Sequence, residues 1–164
     1  MNYIIVDVKR KDLDFVLSLN QKFLPAVGAC NLNAMDHFLR ISSYFKIIKI
    51  EKNSVGFMIG ILPGKDYGSE NYKWFSTRYK SFVYVDRIII GKENQNKGLG
   101  EIFYNDLKDT MKNKASIITC EINIRPYNQQ SIDFHRNYGF EQVGMQHTEN
   151  NKKTVSYMVY NIEK

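Results

Sequence analysis

The sequence predicts a single α/β domain, residues 1–164, built on a mixed central sheet with helices on both faces. The chain has 164 residues, of which 43% are hydrophobic, enough for one core and too few for two. Its apolar residues alternate between strand and helix periodicity in the order β-α-α-β-β-β-α-β-α-β-β. Strands that are apolar on both sides need helices on both faces of the sheet.

The first half of the chain contains a strand, two helices and a hairpin. Asp12 is expected to cap the first helix, and Pro25 and Gly28 separate it from the second. The turn at 52–54 joins two apolar runs as a hairpin. The elements are a strand at 3–8, a helix from Asp12, a helix at 33–42 and strands at 45–51 and 55–62.

Residues 63–80 have no apolar period and hold several aromatic residues, including Trp74. A loop of this length inside a compact domain is usually functional or mobile. We therefore predict a loop that covers a ligand, with Trp74 as a candidate substrate-binding residue. The alternative is that these aromatic residues pack the loop onto the core.

The second half alternates strands and helices around a glycine-containing loop. A strand at 82–90 leads into this loop and a third helix, and the fourth helix ends at Gly139, a residue suited to a left-handed cap. The remaining elements are a strand at 116–124, a helix at 129–138 and strands at 140–146 and 154–160.

Composition limits the classes of partner. The net charge is +6, which favours anionic partners, but the basic residues are scattered and form no nucleic-acid-binding arm. Cys30 and Cys120 have no neighbours at metal-ligand spacing, so neither a disulfide framework nor a metal site is expected. We expect a cytoplasmic protein, because no apolar run approaches the ~20 residues of a membrane span and the N-terminus lacks a signal-peptide pattern.

The loop before the third helix carries the strongest local signal. Its glycines allow backbone N–H groups to approach an anion at the positive end of the helix dipole. This predicts a cradle for a diphosphate, while the simpler alternative is a tight turn with close helix packing. The segment reads Gln95, Asn96, Lys97, Gly98, Leu99, Gly100.

A second motif follows one strand later: Asn128-x-x-Ser131-x-x-Phe134-His135-x-x-x-Gly139-Phe140. Together with Gln95-x-x-Gly98-x-Gly100, it resembles the GNAT-type N-acetyltransferases. The resemblance covers the whole chain in element order and residues 82–146 in motif detail. It includes the segments YVDRI, CEIN and FHxxxGF of a subgroup of predicted bacterial acetyltransferases, and it implies a GNAT-like sheet and acetyl-CoA as cosubstrate.

The resemblance also implies which residues bind the cosubstrate. Backbone N–H groups of residues 96–101 would hold the CoA diphosphate, and the pantetheine arm would pair like an added strand with residues 88–90. The second motif would lie beside the same arm. The predicted cofactor-binding residues are Ile88, Ile89, Ile90, Gln95, Asn96, Lys97, Gly98, Leu99, Gly100, Glu101, Asn128, Ser131 and Phe134.

Acetyl transfer from a thioester to an amine requires a neutral amine, a donor for the thioester oxygen and an acid near the departing thiolate. Many members of the family place Tyr directly after the Phe of the second motif, whereas this chain has His135. His135 is therefore a candidate acid, and the alternative is a structural histidine.

Strand alternation supplies the candidate bases. Asp86 shares one face of its strand with Tyr84, and Glu121 shares one with Asn123. In the family these faces line the acceptor site, so Asp86 and Glu121 are candidate general bases, Tyr84 is an acid or substrate anchor, and Asn123 is a substrate contact. The alternative for both carboxylates is an internal salt bridge, with Arg87 or Arg125 as partner.

Three functions remain open at this level. The leading one is direct acetyl transfer to a small amine, an amino acid or a protein N-terminus, without a covalent enzyme intermediate. The alternatives are a non-catalytic acyl-CoA sensor and, more weakly, a basic nucleic-acid-binding domain. Exposed aromatic residues would support a homodimer.

Overall fold

The computed structural model describes residues 2–163. Their strands form one seven-stranded sheet with strand order β1-β2-β3-β4-β5-β7-β6. The predicted mixed α/β fold class is confirmed, and the described residues form one α-helix more than predicted. The helices are α1 Leu13–Gln21, α2 Leu32–Ile41, α3 Glu70–Ser76, α4 Leu99–Met111 and α5 Gln129–Tyr138. The strands are β1 Tyr3–Asp7, β2 Tyr44–Ile50, β3 Asn53–Ile61, β4 Phe82–Ile90, β5 Ile117–Arg125, β6 Glu141–Thr148 and β7 Lys153–Asn161.

The chain divides into two compact units. Unit 1 comprises Met1–Ile61 and Val85–Asp109, and unit 2 comprises Leu62–Tyr84 and Thr110–Lys164. Strand β4 passes from unit 2 into unit 1 between Tyr84 and Val85. That the chain is one domain remains a prediction. No described helix is both long and apolar enough to cross a lipid bilayer.

Unit 1 contains the antiparallel strands β1, β2 and β3 and most of α4. Strand β2 pairs with β1 on one side and β3 on the other, with a register shift between Ile48 and Lys49. A buried tyrosine joins α4 to β2, because the Tyr44 hydroxyl donates to Asp106 Oδ2 at 2.7 Å and Lys46 Nζ lies 2.8 Å from the same oxygen. This contact holds the helix that follows the glycine loop.

Unit 2 contains the start of β4 and the strands β5, β7 and β6. The parallel register between β4 and β5 runs from Phe82↔Ile117 to Tyr84↔Thr119. Strand β5 continues antiparallel to β7, and β7 pairs antiparallel with β6. The sheet thus places β5 and β7 side by side, and both carry polar residues of the candidate site.

Helix ends follow local capping chemistry. Asn128 Oδ1 accepts from the Ser131 N–H at the start of α5, and Gly139 ends that helix with φ +111°, the left-handed cap that the sequence predicts. Helix α1 begins directly after Asp12, but the Asp12 carboxylate accepts from the Lys9 backbone N–H and does not cap the helix. Asp12 therefore closes the preceding turn.

The prediction that residues 63–80 form a loop was wrong for part of this segment. Helix α3 begins after Ser69, whose hydroxyl accepts from the Tyr72 N–H at 3.3 Å. Tyr72 and Phe75, three residues apart, are both buried. A short helix of this kind lacks enough turns for a clear apolar period, since only one face of two turns meets the core.

Candidate active site

A row of side chains crosses one face of the sheet in unit 2. Glu121 on β5 stands directly opposite Tyr157 on β7, and Tyr157 stands opposite Gly144 on β6. Directly opposed residues of antiparallel strands share a face. On the other side of Glu121, the buried Tyr84 hydroxyl donates to Glu121 Oε1 at 3.0 Å. Two of the predicted site residues, Tyr84 and Glu121, are therefore brought together.

Tyr157 is the centre of a polar cluster on this face. Its ring is fully buried, while its hydroxyl donates to Asn71 Oδ1 at 2.9 Å and lies 3.3 Å from Gln146 Oε1. Burial raises the pKa of Tyr157 well above its ordinary value, and the nearby carboxylates of Glu121 and Glu70 raise it further. The hydroxyl stays protonated at neutral pH, so it can serve as a hydrogen-bond donor but not as a base.

Helix α3 covers this row. Trp74 stacks on Tyr157, with ring centroids 4.1 Å apart and planes 22° from parallel. Phe75 contacts both Tyr84 and Tyr157, at centroid distances of 6.0 Å and 5.2 Å. The Arg78 guanidinium lies 4.0 Å from the centroid of the Trp74 ring. The segment predicted to cover a ligand therefore packs on the face that carries Glu121.

Asp86 is engaged by its neighbour. Its carboxylate lies 2.6 Å from Arg87 Nε, and both side chains are buried. Arg87 also donates to Asn20 Oδ1 at 2.7 Å and lies 3.0 Å from Cys30 Sγ. The salt bridge foreseen as the alternative for Asp86 is present, and the other contacts of Arg87 join β4 to the residues around α1. Asp86 as a general base stays a prediction.

His135 is buried between aromatic rings on α5. Its Nδ1 lies 2.7 Å from the Ser131 backbone oxygen, so the ring donates to that carbonyl, and its ring centroid is 5.2 Å from that of Phe140. Burial lowers the pKa of His135 to about 4, against the opposing effect of the Ser131 hydrogen bond. The imidazole is neutral at pH 7. This arrangement favours the structural alternative, and the catalytic assignment stays a prediction.

The glycine loop has the backbone of an anion cradle. Asn96 and Gly98 have φ of +59° and +77°, and successive residues that alternate into the left-handed region turn their N–H groups toward one side. A Cβ added at Gly98 would meet no atom within 4 Å, so the space above the loop is open. Helix α4 begins at Leu99, which adds its positive dipole end. These residues fit a diphosphate.

The other loop residues support this backbone. Gln95 Nε2 donates to the Ile90 carbonyl at 3.1 Å, and Lys97 Nζ donates to Asn94 Oδ1 at 3.1 Å. The Gln95 contact ties the loop back to the end of β4, where Ile88 and Ile90 are partly exposed and Ile89 is buried. The predicted strand-like pairing of the pantetheine arm with residues 88–90 stays a prediction.

The second motif forms the start of helix α5 in unit 2. Asn128 caps the helix, and its backbone N–H donates to the Asn123 carbonyl at 3.2 Å. Ser131 Oγ lies 3.4 Å from His135 Nδ1, and the Phe134 ring contacts the His135 ring at 5.1 Å. Each motif residue thus has a local structural contact, and its predicted role toward the cosubstrate is untested.

The residues that sequence reasoning missed are Tyr157, Asn71 and Gln146. Tyr157 lies in an apolar final strand, where an aromatic residue ordinarily belongs to the core. Asn71 meets Tyr157 through long-range packing, and Gln146 meets it through the register of strands β6 and β7. Ser69 as a helix cap, followed by Tyr72 and Phe75, is the one local signal that pointed to α3.

A match to a protein-family model defines the class of this protein as an acyltransferase. The family model described as acetyltransferase (GNAT) family matches residues 14–140. The chain therefore belongs to the GNAT acetyltransferase family, whose cosubstrate is acetyl-CoA. Among curated proteins, none matches this sequence.

Several solved structures share the fold. Ard1 from Thermoplasma volcanium has a TM-score of 0.78 at 14% identity, with 98% of each chain covered. Naa50 of Arabidopsis thaliana, in complex with the bisubstrate analogue CoA-Ac-MVNAL, has a TM-score of 0.74 at 15% identity, covering 98% of this chain and 99% of that one. A chimera of the spermidine N-acetyltransferase SpeG from Vibrio cholerae and hSSAT has a TM-score of 0.73 at 17% identity, covering 99% and 97%. At these identities the likeness establishes the fold.

Proposed function

We propose that this protein transfers the acetyl group of acetyl-CoA to a primary amine, with Glu121 as the general base. The observation that carries the proposal is the hydrogen bond from the Tyr84 hydroxyl to Glu121 Oε1 at 3.0 Å, on a sheet face lined by Tyr157. A carboxylate held by a tyrosine can accept a proton from an ammonium group, directly or through one water.

Bound acetyl-CoA would supply the activated acyl group as a thioester. The residues of the chain then have separate tasks. Backbone N–H groups around Gly98 would hold the diphosphate, and Glu121 would take a proton from the acceptor so that its nitrogen has a free lone pair. Tyr84 would orient the carboxylate, and the protonated Tyr157 hydroxyl would keep its hydrogen bond to Asn71 on the same face.

The charges on this face favour a cationic acceptor. Glu121 and Glu70 both lie close enough to Tyr157 to raise its pKa, while Arg78 acts in the opposite direction. An amine that arrives as an ammonium ion is attracted by such carboxylates. Proteins of this fold include one solved with a CoA-linked peptide and one named for spermidine, so peptide N-termini and small polyamines are the acceptors to examine first.

The proposal is tested by measuring CoA release with spermidine, free lysine and a short peptide with an unblocked N-terminus. Glu121→Gln should lower kcat by about a hundredfold or more, the range of general-base catalysis, while the KM for acetyl-CoA stays unchanged. Glu141→Gln is the matched control, because Glu141 is an exposed carboxylate at the start of β6, and it should behave as wild type.

Two results would contradict the proposal. Equal kcat values for Glu121→Gln and Glu141→Gln would remove Glu121 as the base. Binding of acetyl-CoA without transfer to any amine would instead favour the acyl-CoA sensor, an alternative supported by the buried, neutral His135 at the position where many family members have Tyr.

A further inference from the structure

Gly144 on β6 leaves the space that the Trp74 ring occupies. A Cβ added at residue 144 would lie 2.7 Å from Trp74 Cζ2 and 3.0 Å from Cη2, closer than side-chain atoms pack. The φ angle of Gly144 is not positive, so its backbone conformation does not require glycine. Its lack of a side chain is therefore needed for the tryptophan and not for the turn of the chain.

The Trp74 ring is held on several sides. Tyr157 stacks on one face at 4.1 Å, the Arg78 guanidinium lies 4.0 Å from the ring centroid, and Phe75 contacts it edge-on at 5.1 Å. A ring fixed in this way cannot slide to accommodate a methyl group at residue 144. The strain would pass to α3, which carries the tryptophan.

Movement of α3 would reach the catalytic face. Asn71 on the same helix accepts the hydrogen bond of Tyr157 at 2.9 Å, and Tyr157 stands opposite Glu121 across the β5–β7 pair. The height of α3 over the sheet is thus set by Trp74 at Gly144, next to the proposed general base.

We infer that Trp74, seated against Gly144, is a specificity-determining residue that limits the size of the acceptor amine beside Glu121. This inference rests on the proposed function, since it assigns the acceptor side to the face that carries the base. A wider gap between α3 and the sheet would admit bulkier or branched amines. The same displacement of α3 would weaken the binding of a compact amine.

The direct test is Gly144→Ala, with Gly68→Ala as the matched control. An added Cβ at Gly68 meets nothing within 4 Å, and Gly68 lies in the same segment as α3. Gly144→Ala should raise the KM for the best amine of the panel by about tenfold, because displacements of about 1 Å are costly for positioned reactants. The KM for acetyl-CoA should not change, and Gly68→Ala should match wild type.

A rescue experiment separates this role from general damage to the fold. Phenylalanine lacks the outer ring that contains the two crowded atoms, so Trp74→Phe combined with Gly144→Ala should restore the amine KM toward the wild-type value. If Gly144→Ala does not fold, the single variant Trp74→Phe tests the inference instead. It should shift the ranking of amines toward bulkier acceptors without changing the KM for acetyl-CoA.

Intrinsic fluorescence gives a readout that is independent of turnover. Trp74 is the single tryptophan of the chain, so its emission reports on α3 alone. Gly144→Ala should shift the emission to longer wavelength as the ring leaves the Tyr157 stack, and Gly68→Ala should not.

The inference and the proposed function fail in different ways. The inference alone is overturned if the protein acetylates an amine and Gly144→Ala leaves the KM for that amine unchanged. It is also overturned alone if Trp74→Phe leaves the ranking of amines unchanged. Parallel increases in both KM values, without rescue by Trp74→Phe, also overturn it. The absence of transfer to every amine of the panel overturns both.

Discussion

Replacing Gly98 by Asp should strongly weaken the binding of acetyl-CoA at the glycine loop. Gly98 has φ +77°, and an added Cβ meets no atom within 4 Å, so the carboxylate would stand in the open space of the predicted diphosphate cradle. Two effects must then be separated: the backbone strain of a side chain in the left-handed region and the repulsion between the carboxylate and the diphosphate.

The repulsion dominates. Two unit charges about 4 Å apart near a protein surface interact with about 4 kcal/mol, and about 1.4 kcal/mol changes a dissociation constant tenfold. Salt screening reduces the repulsion, with a Debye length of about 8 Å at physiological ionic strength. We therefore expect the Kd for acetyl-CoA to rise by at least about a hundredfold. The backbone strain is about 1–2 kcal/mol and acts on folding.

Calorimetric titration with acetyl-CoA measures this effect, and the chain offers a matched control. Gly64 has φ +81° and the same open surroundings, so Gly64→Asp carries the same strain and charge at a different place. Gly98→Asn places a side chain of the same size in the same space without the charge, so it should weaken binding less than Gly98→Asp, and the difference between the two variants measures the repulsion. Equal affinities for Gly98→Asp and Gly64→Asp would refute the assignment of the cradle.

Two further predictions concern residues whose catalytic role is open. The free energy of unfolding should fall by about 3 kcal/mol as the pH drops from about 6.5 to 4, because the unfolded chain protonates His135 at its ordinary pKa, whereas burial lowers the folded pKa to about 4. Urea unfolding measured across this pH range should show that the free energy of unfolding of His135→Gln depends less on pH than that of wild type. The same pH dependence in both proteins would contradict this prediction. Asp86→Asn should lower the free energy of unfolding by about 3 kcal/mol, because it leaves the buried Arg87 without its carboxylate partner. The kcat of the folded variant should stay within about twofold of wild type, whereas a hundredfold loss with unchanged stability would make Asp86 the base.

The sequence sufficed for the parts of this protein that depend on local chemistry. Alternating apolar residues located β4 at 82–90 as the structure has it, and Gly139 marked the C-terminal end of α5. These features follow from the preferences of a few neighbouring residues, so they can be read without knowing the fold. The glycine loop belongs to the same group, because positive φ at Gly98 is a property that glycine permits locally.

Tertiary structure decided which polar groups meet. Asp86 and Glu121 are both strand carboxylates, but Asp86 pairs with its sequence neighbour Arg87, whereas packing placed Glu121 beside the Tyr84 hydroxyl. The chain separates Tyr157 from Asn71 by 86 positions, and no local pattern links them. Such pairings depend on strand register and on helix packing, since a shift of one residue along a strand would turn Glu121 to the opposite face of the sheet.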